Sequence, residues 1–532
     1  MSAIVTDQFR ILNANNFVES VENTNNSYYV FVGLANPKGT DAGLVGYGRS
    51  TGWNESNKTP SPTDSFSYRS HTGDTMMYGK KISSANIRRI IRRVDWVSGN
   101  RYEIYRDDYS ATNQSPLTKA SRLYDANYYV LNSDFKVYIC IDNGSTGENP
   151  LGNVSQDEPT FTDLEPSKAG NSGDGYVWKY LFTVSPSDII KFDSTEFITV
   201  PNNWTTSTDS QIRAVRENGD SNVNENQLKH VYIENAGNNY SDGLGQEVDI
   251  IGDGEGGKAR VDVVNGSITN VIVSAGGKGY SYALVDLGTL NSFCGVGDHA
   301  KLIPIIPPKL GHGSDIYTEL GTDRVIVYAR FDESTKDFPI DTTFAQVGIV
   351  KNPTKIDTTI TYTDNTFSSL NAFKFDTVNG TPKVGEEIRQ VLSLPANLGR
   401  VARGFVASYD IETKVLKYFK DRSLQYNRTF YDQTDYAGIS TAGRSYDFET
   451  GSSANNVEGI ESTFTGTIDI DFSQATLTTS GNKLINLGTT FVSGLSDSEI
   501  NKGSGEVIYL DNRPAIKRNS RQKEDIKIIL EF

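Results

Sequence analysis

Two stretches carry residue types and spacings that could do chemistry. In "LVGYGRSTGWNES", residues 44–56, the run Gly48-Arg-Ser-Thr-Gly52 fits G-x-S-x-G, the pattern that exposes a nucleophilic serine on a strained strand-to-helix turn. The upstream half, "AGLVGY", can be a short strand. Downstream, "WNESNKTPSPTDS" carries two prolines among turn formers, so no helix can start at Thr51. Ser50 is therefore expected to shape a turn. The second stretch, "GDGEGGKA" from Gly252, satisfies G-x-G-x-x-G and comes within one residue of a P-loop. Ala259 stands where magnesium needs a hydroxyl, and "ARVDVV" after it reads as a strand, so no helix N-terminus faces a phosphate. A hairpin turn is expected there.

His71, His230, His299 and His312 are isolated in sequence, with no H-E-x-x-H, H-x₃-H or CxxC around them. His312, between two glycines, reads as a turn histidine. EF-hand spacing is absent, although "IDIDF" and "DGEGG" offer weak calcium carboxylates. No catalytic residue, metal site or cofactor is expected. Paired carboxylates for glycoside hydrolysis are set by space rather than sequence, so a glycan-binding or glycan-cleaving role stays open.

The elements that must position these residues are mostly β. The chain has 532 residues, too many for one core, with 28 Tyr, 24 Phe and 48 Gly among short apolar runs. Its net charge of −15 repels phosphate backbones, so nucleic acid is not an expected partner. Cys140 and Cys294 make no disulfide framework, which suits folding in a reducing compartment. The start "MSAIVTDQFR" has no signal-peptide pattern, and no apolar run reaches the length of a membrane span. A protein made in a cytoplasm is expected.

Along the chain, Thr6 should cap a helix through "DQFRILNANNFVESV", with Phe9, Leu12 and Phe17 as its apolar stripe. "SYYVFVGLA" is a strand. A second helix is expected near "DSFSYRSHTGDTMMYG", and a third at "NIRRIIRRVDW", where Ile87, Ile90, Ile91 and Val94 have helical spacing. From 97 to 214 the pattern is that of a β-sandwich: "NYYVLNS", "FKVYICID", "GYVWKYLFTV" and "EFITVP" are short strands separated by turn clusters. Segment 215–320 is Gly-rich and duplicated, because "HVYIENAGNNYS" (230–241) aligns with "NVIVSAGGKGYS" (270–281). "GHGSDIYTELG" should be a capped single helical turn ending at Gly321. Segment 357–491 is a further run of strands with a small barrel-like module in "VGEEIRQVL…KVLKYFK". The last strand alternates Ile526, Ile528, Leu530 and Phe532, a face that needs burial.

Several motifs recur in one order: "AIVTDQFR", "YGRS..W" at 47–53, "PTDS" at 62–65, "RRVDW" at 92–96, "GDGYVWKYLF" at 173–182, "EFITVP" at 196–201 and "GEVIYLDNRPAI" at 505–516. This series resembles the baseplate wedge subunit of T-even-type contractile-tailed phages, the gene product 8 family. The motif-bearing segments cover about two fifths of the chain. The segments near 215–310 and 357–490 look like β-insertions to which no family role transfers.

The resemblance implies a mainly β, multidomain protein with a smaller α+β part. A discontinuous α+β domain (1–96, 321–356 and 492–532) would come from both chain ends, with the β-sandwich inserted after "RRVDW". It also singles out residues that set the fold or an interface: Arg49, Trp53, Arg93, Asp95, Trp96, Asp174, Tyr176, Trp178, Asn512, Arg513 and Pro514. The implied function is non-enzymatic: a homodimer in the virion tail baseplate, joining other wedge proteins and host-facing fibre or pin proteins, without nucleic acid or membrane.

Overall fold

The computed structural model describes residues 6–33, 72–73, 76–218, 226–290, 299–331, 343–383, 385–392, 401–420, 447–450, 456–478, 481–482, 484–517 and 522–532. The chain forms two compact units. One comprises Met1–Val18, Arg88–Ile326 and Ile528–Phe532; the other comprises Glu19–Ile87 and Val327–Lys527. Among the described residues strand far outweighs helix, which makes the protein mainly β with several separate sheets.

The first unit is built on two sheets that share one core. One sheet runs Tyr129–Leu131, Lys136–Asn143, Tyr176–Thr183 and Ser167–Lys168, and its central strands are buried along nearly their whole length. The other contains the antiparallel pair of Arg89 to Arg92 with Phe197–Val200. Ile91, Ile198 and Val200 from this pair join Tyr128, Tyr138, Trp178 and Trp204 in the common core. Both chain ends belong to this unit. The N–H of Phe532 donates to Asp323 O at 3.1 Å, its ring lies 5.6 Å from that of Phe17, and Glu531 pairs with Arg324 at 2.9 Å.

The same unit holds the duplicated segment as a four-stranded sheet, in the order Ser267–Lys278, Glu255–Val264, Gly243–Gly252 and Ala283–Val285. "GDGEGGKA" is its first hairpin, with Asp253 and Gly254 at the turn. The two copies share a backbone device. Gly237 and Gly277 have φ of 65° and 60°, and Asn239 and Gly279 have 64° and 79°, left-handed values that glycine and asparagine tolerate best. Each turn delivers a buried tyrosine whose hydroxyl takes a backbone N–H: Tyr240 from Ala300 at 3.1 Å, Tyr280 from Gly257 at 3.0 Å.

In the second unit, a five-stranded sheet runs Thr366–Ser368, Met76–Ile82, Tyr28–Gly33, Thr343–Lys351 and Glu506–Lys517. Tyr28–Gly33, central and apolar, is buried at every position. Glu506–Lys517 is an edge strand among the described residues. Its pairing with Thr343–Lys351 slips twice, at Ile508 and across residues 513–515. The barrel-like stretch proves to be half of a closed six-stranded barrel. Asn371–Asn379 pairs with Val415–Phe419, then Val401–Asp410, Glu387–Val391, Asn456–Gly459 and Thr465–Ile468, which returns to Asn371–Asn379. Phe373, Phe375, Leu416, Tyr418 and Phe464 fill it, with the Phe373 and Tyr418 rings stacked at 4.3 Å.

Two helical readings are corrected. "NIRRII" is a strand, Ile87–Arg92; its β-branched isoleucines favour the extended backbone, and antiparallel pairing with Phe197–Val200 holds it there. Of the stretch expected to hold the second helix, Thr72 and Gly73 are helical and Met76 onward is strand, while residues 64–71 and 74–75 lie outside the described residues. The first helix, Asp7–Glu22, forms as expected, and Thr6 Oγ1 accepts from Phe9 N at 3.3 Å. Its buried face, however, is Ile11, Ala14, Val18 and Val21, while Phe9 and Leu12 are more than half exposed. Small Ala14 and β-branched Val18 and Val21 line that face, and Phe17 is half-buried beside it.

Ile528 is 4% exposed, at the centre of the final alternating face. Ile528→Ala should lower stability by about 2–5 kcal/mol, and removal of Ile528–Phe532 should abolish cooperative melting of the first unit. Urea denaturation followed by tryptophan fluorescence measures both, since Trp96, Trp178 and Trp204 all lie in that unit.

Candidate functional site

The motif residues of the first unit converge on one aromatic cluster. Gly173 and Gly175 take φ of 70° and 87°, bending the chain into the strand Tyr176–Thr183. The angle at Gly175 requires glycine, and a Cβ there would also sit 2.9 Å from Asn153 Nδ2 and displace that side chain. Between them Asp174 ties the turn. Its Oδ1 accepts from Tyr176 N at 3.0 Å, its Oδ2 from Gln156 N at 2.8 Å, and its carbonyl from Asn153 Nδ2 at 2.9 Å. Tyr176 then stacks on Trp178 at 5.3 Å, and both are fully buried.

Tyr102 joins this pair to "RRVDW". Its ring meets Trp178 edge-on at 5.8 Å, and its N–H donates to the Tyr176 hydroxyl at 3.0 Å. Its own hydroxyl accepts from Val97 N at 2.6 Å and donates to Asp95 O at 3.1 Å. The indole N–H of Trp96 donates to Ser155 Oγ at 3.0 Å. Arg93 holds Asp95 at 2.9 Å and Asp193 at 3.2 Å. Arg88 pairs with Asp188 at 3.0 Å, and buried Arg89 donates to Asn15 and lies over the Tyr317 ring at 4.2 Å. The arginines of this segment are internal ties.

Thus Arg93, Asp95, Trp96, Asp174, Tyr176 and Trp178 come together. Asn512, Arg513 and Pro514 belong to the other unit, on its edge strand. Asn512 is buried and accepts from Gln346 Nε2 at 2.9 Å, and Arg513 pairs with Asp511 at 2.6 Å. Arg49, Ser50 and Trp53 lie outside the described residues.

Sequence reading missed Tyr102, the hub, because no periodicity marks it. It also undervalued His312. The expected helical turn is there, Ile316–Leu320, capped by Asp315 and ended by Gly321 at φ 66°. It presents Glu319 to His312 Nδ1 at 2.5 Å and to Gly313 N at 2.7 Å, both side chains buried, with the Tyr105 ring edge-on at 4.8 Å. An acid seven residues after the histidine, across an Asp-capped turn, was the available signal. A shallow cleft opens beside Arg93, walled by Phe135, Ile189, Phe192 and Phe197; its carboxylates, Asp188 and Asp193, are the ones already paired with arginines. Among the described residues, no three His, Cys, Asp or Glu side chains group as metal ligands, and no helix is long and apolar enough to cross a membrane.

Fold and cluster together define a mainly β, multi-sheet protein whose quoted motifs hold turns and strands in place. No known family profile matches the chain. It is 27% identical over 218 residues to the baseplate wedge protein gp8 of Enterobacteria phage T4. The match spans 37% of this chain and 60% of that protein, so less than two thirds of the relative is covered. The relationship to a baseplate wedge protein is partial.

Burial raises the pKa of Tyr102, Tyr176, Tyr105 and Tyr128 above the ordinary tyrosine value. The unfolded chain ionises its tyrosines near pH ~10. Above that pH it releases protons that the folded chain keeps, so stability should fall as pH rises past about 10. Tyr102→Phe should destabilise by about 1–3 kcal/mol, leaving Val97 N without its acceptor, and should flatten part of the alkaline slope. Denaturant midpoints between neutral pH and about 11 test this.

Proposed function

We propose that this chain is a structural component of a contractile-tail baseplate wedge in a bacteriophage virion. It would act as a homodimer that joins other wedge proteins and the fibre or pin proteins facing the host. The 218-residue similarity to a baseplate wedge protein carries the reading. The geometry supports it: Arg93, Asp95, Trp96, Asp174, Tyr176 and Trp178 are all spent on packing, ion pairs and turn hydrogen bonds. Such a part works through large shape-complementary surfaces, and a two-fold contact uses the same patch on both subunits. In this reading the protein is not an enzyme, and Ser50 is not a nucleophile.

Light scattering on the purified chain should give twice the chain mass of 58.5 kDa. The protein should release no reducing sugar from bacterial surface polysaccharide, and a fluorophosphonate probe should leave Ser50 unlabelled. A trimer that degrades polysaccharide would replace the wedge reading with a glycan-cleaving tail protein.

A further inference from the structure

Lys179, on the strand Tyr176–Thr183, is fully buried, and its two hydrogen bonds go to neutral acceptors. Nζ donates to Leu164 O at 2.6 Å and to the side-chain Oδ1 of Asn218 at 3.0 Å. Asn218, itself 6% exposed, caps the C-terminus of the helix Ser210–Glu217. Its Nδ2 donates to Glu165 Oε1 at 2.9 Å, while the other oxygen of Glu165 pairs with Lys229 Nζ at 2.7 Å and Asn226 also donates to Oε1 at 3.0 Å. An amine, a carboxamide and a carboxylate therefore stand in line, each in contact with the next. We infer that Lys179 and Asn218 become joined by an intramolecular isopeptide bond, with Glu165 carrying the proton.

The chemistry balances without any co-reactant. The neutral Lys179 amine attacks Cγ of Asn218, so an Nζ–Cγ bond forms. The Glu165 carboxylate takes a proton from that nitrogen and passes it to Nδ2. The Cγ–Nδ2 bond breaks, ammonia leaves, and Glu165 ends as the carboxylate it began as. Burial supplies the neutral amine: desolvation, helped by the charge of Lys229 and opposed by Glu165 and Glu319, brings the Lys179 pKa down to about 8. Partial burial works against ionisation of Glu165, but its hydrogen bonds to Lys229 and Asn218 outweigh that and hold its pKa below the ordinary value. The bond would tie the central strand of the sandwich to the end of the helix.

Mass spectrometry of the full chain, denatured and digested with trypsin, tests the inference. The expected result is a chain lighter by about 17 Da, the mass of ammonia, and a branched peptide containing both Lys179 and Asn218. Bond formation should quicken as pH rises through 8. Lys179→Arg should abolish the mass loss, and Glu165→Gln, at a half-exposed side chain, should slow it roughly tenfold or more. A chain of unmodified mass after prolonged incubation at pH 9, with trypsin cutting after Lys179, would overturn the inference. So would a gain of about 1 Da at Asn218 without a branched peptide, which marks simple deamidation.

Discussion

Burial of Trp178 between Tyr102 and Tyr176 is the constraint on which the first unit depends. Aromatic side chains of this size remove about 150–250 Å² each from water, the largest single contributions a core receives. Each tyrosine also carries a hydroxyl that cannot be buried unpaired. Those hydroxyls reach the backbone at Asp95, Val97, Tyr102 and Asn153, so packing the rings also orders the surrounding loops. The indole N–H of Trp178 finds no hydrogen-bond partner among the described residues. An unpaired donor of this kind costs about 1–3 kcal/mol, which the apolar contact of the ring outweighs.

The remaining sheets meet the same requirement differently. The barrel closes on itself, so every one of its strands has two neighbours and its phenylalanines fill the inside. The duplicated segment uses tyrosine hydroxyls as struts between a turn and the strand it faces, and repeats the left-handed pair of residues that aims each tyrosine. These modules carry their own cores, which is why turn chemistry and aromatic spacing describe them well.

What the sequence revealed follows from how local each signal is. The strand Tyr28–Gly33, the hairpin at Gly252, the capped turn at Asp315 and the alternating final strand are all set by neighbours a few residues away, and all were legible. The segment at Ile87 was misread because one isoleucine and an isoleucine pair among arginines satisfy helical and extended periodicity equally; the sheet partner at Phe197–Val200 decides, and it lies more than a hundred residues away. The same holds for the site. Arg93, Asp174 and Trp178 stood out by the wording of their motifs, but Tyr102, which joins them, acts only through three-dimensional contact. His312 and Glu319 were visible separately, and only the turn at Asp315 makes them a pair.

The edge strand Glu506–Lys517 limits how this sheet can meet anything else. Pro514 has no N–H to offer, Arg513 and Asp511 bring a charge pair alongside, and the pairing slips twice within twelve residues. Bulges, proline and charge are the devices that stop a sheet from growing by addition of another strand. Among the described residues, these features oppose a neighbouring molecule adding a strand to this edge. Contact here then falls to side chains, with its specificity written in residues rather than in backbone.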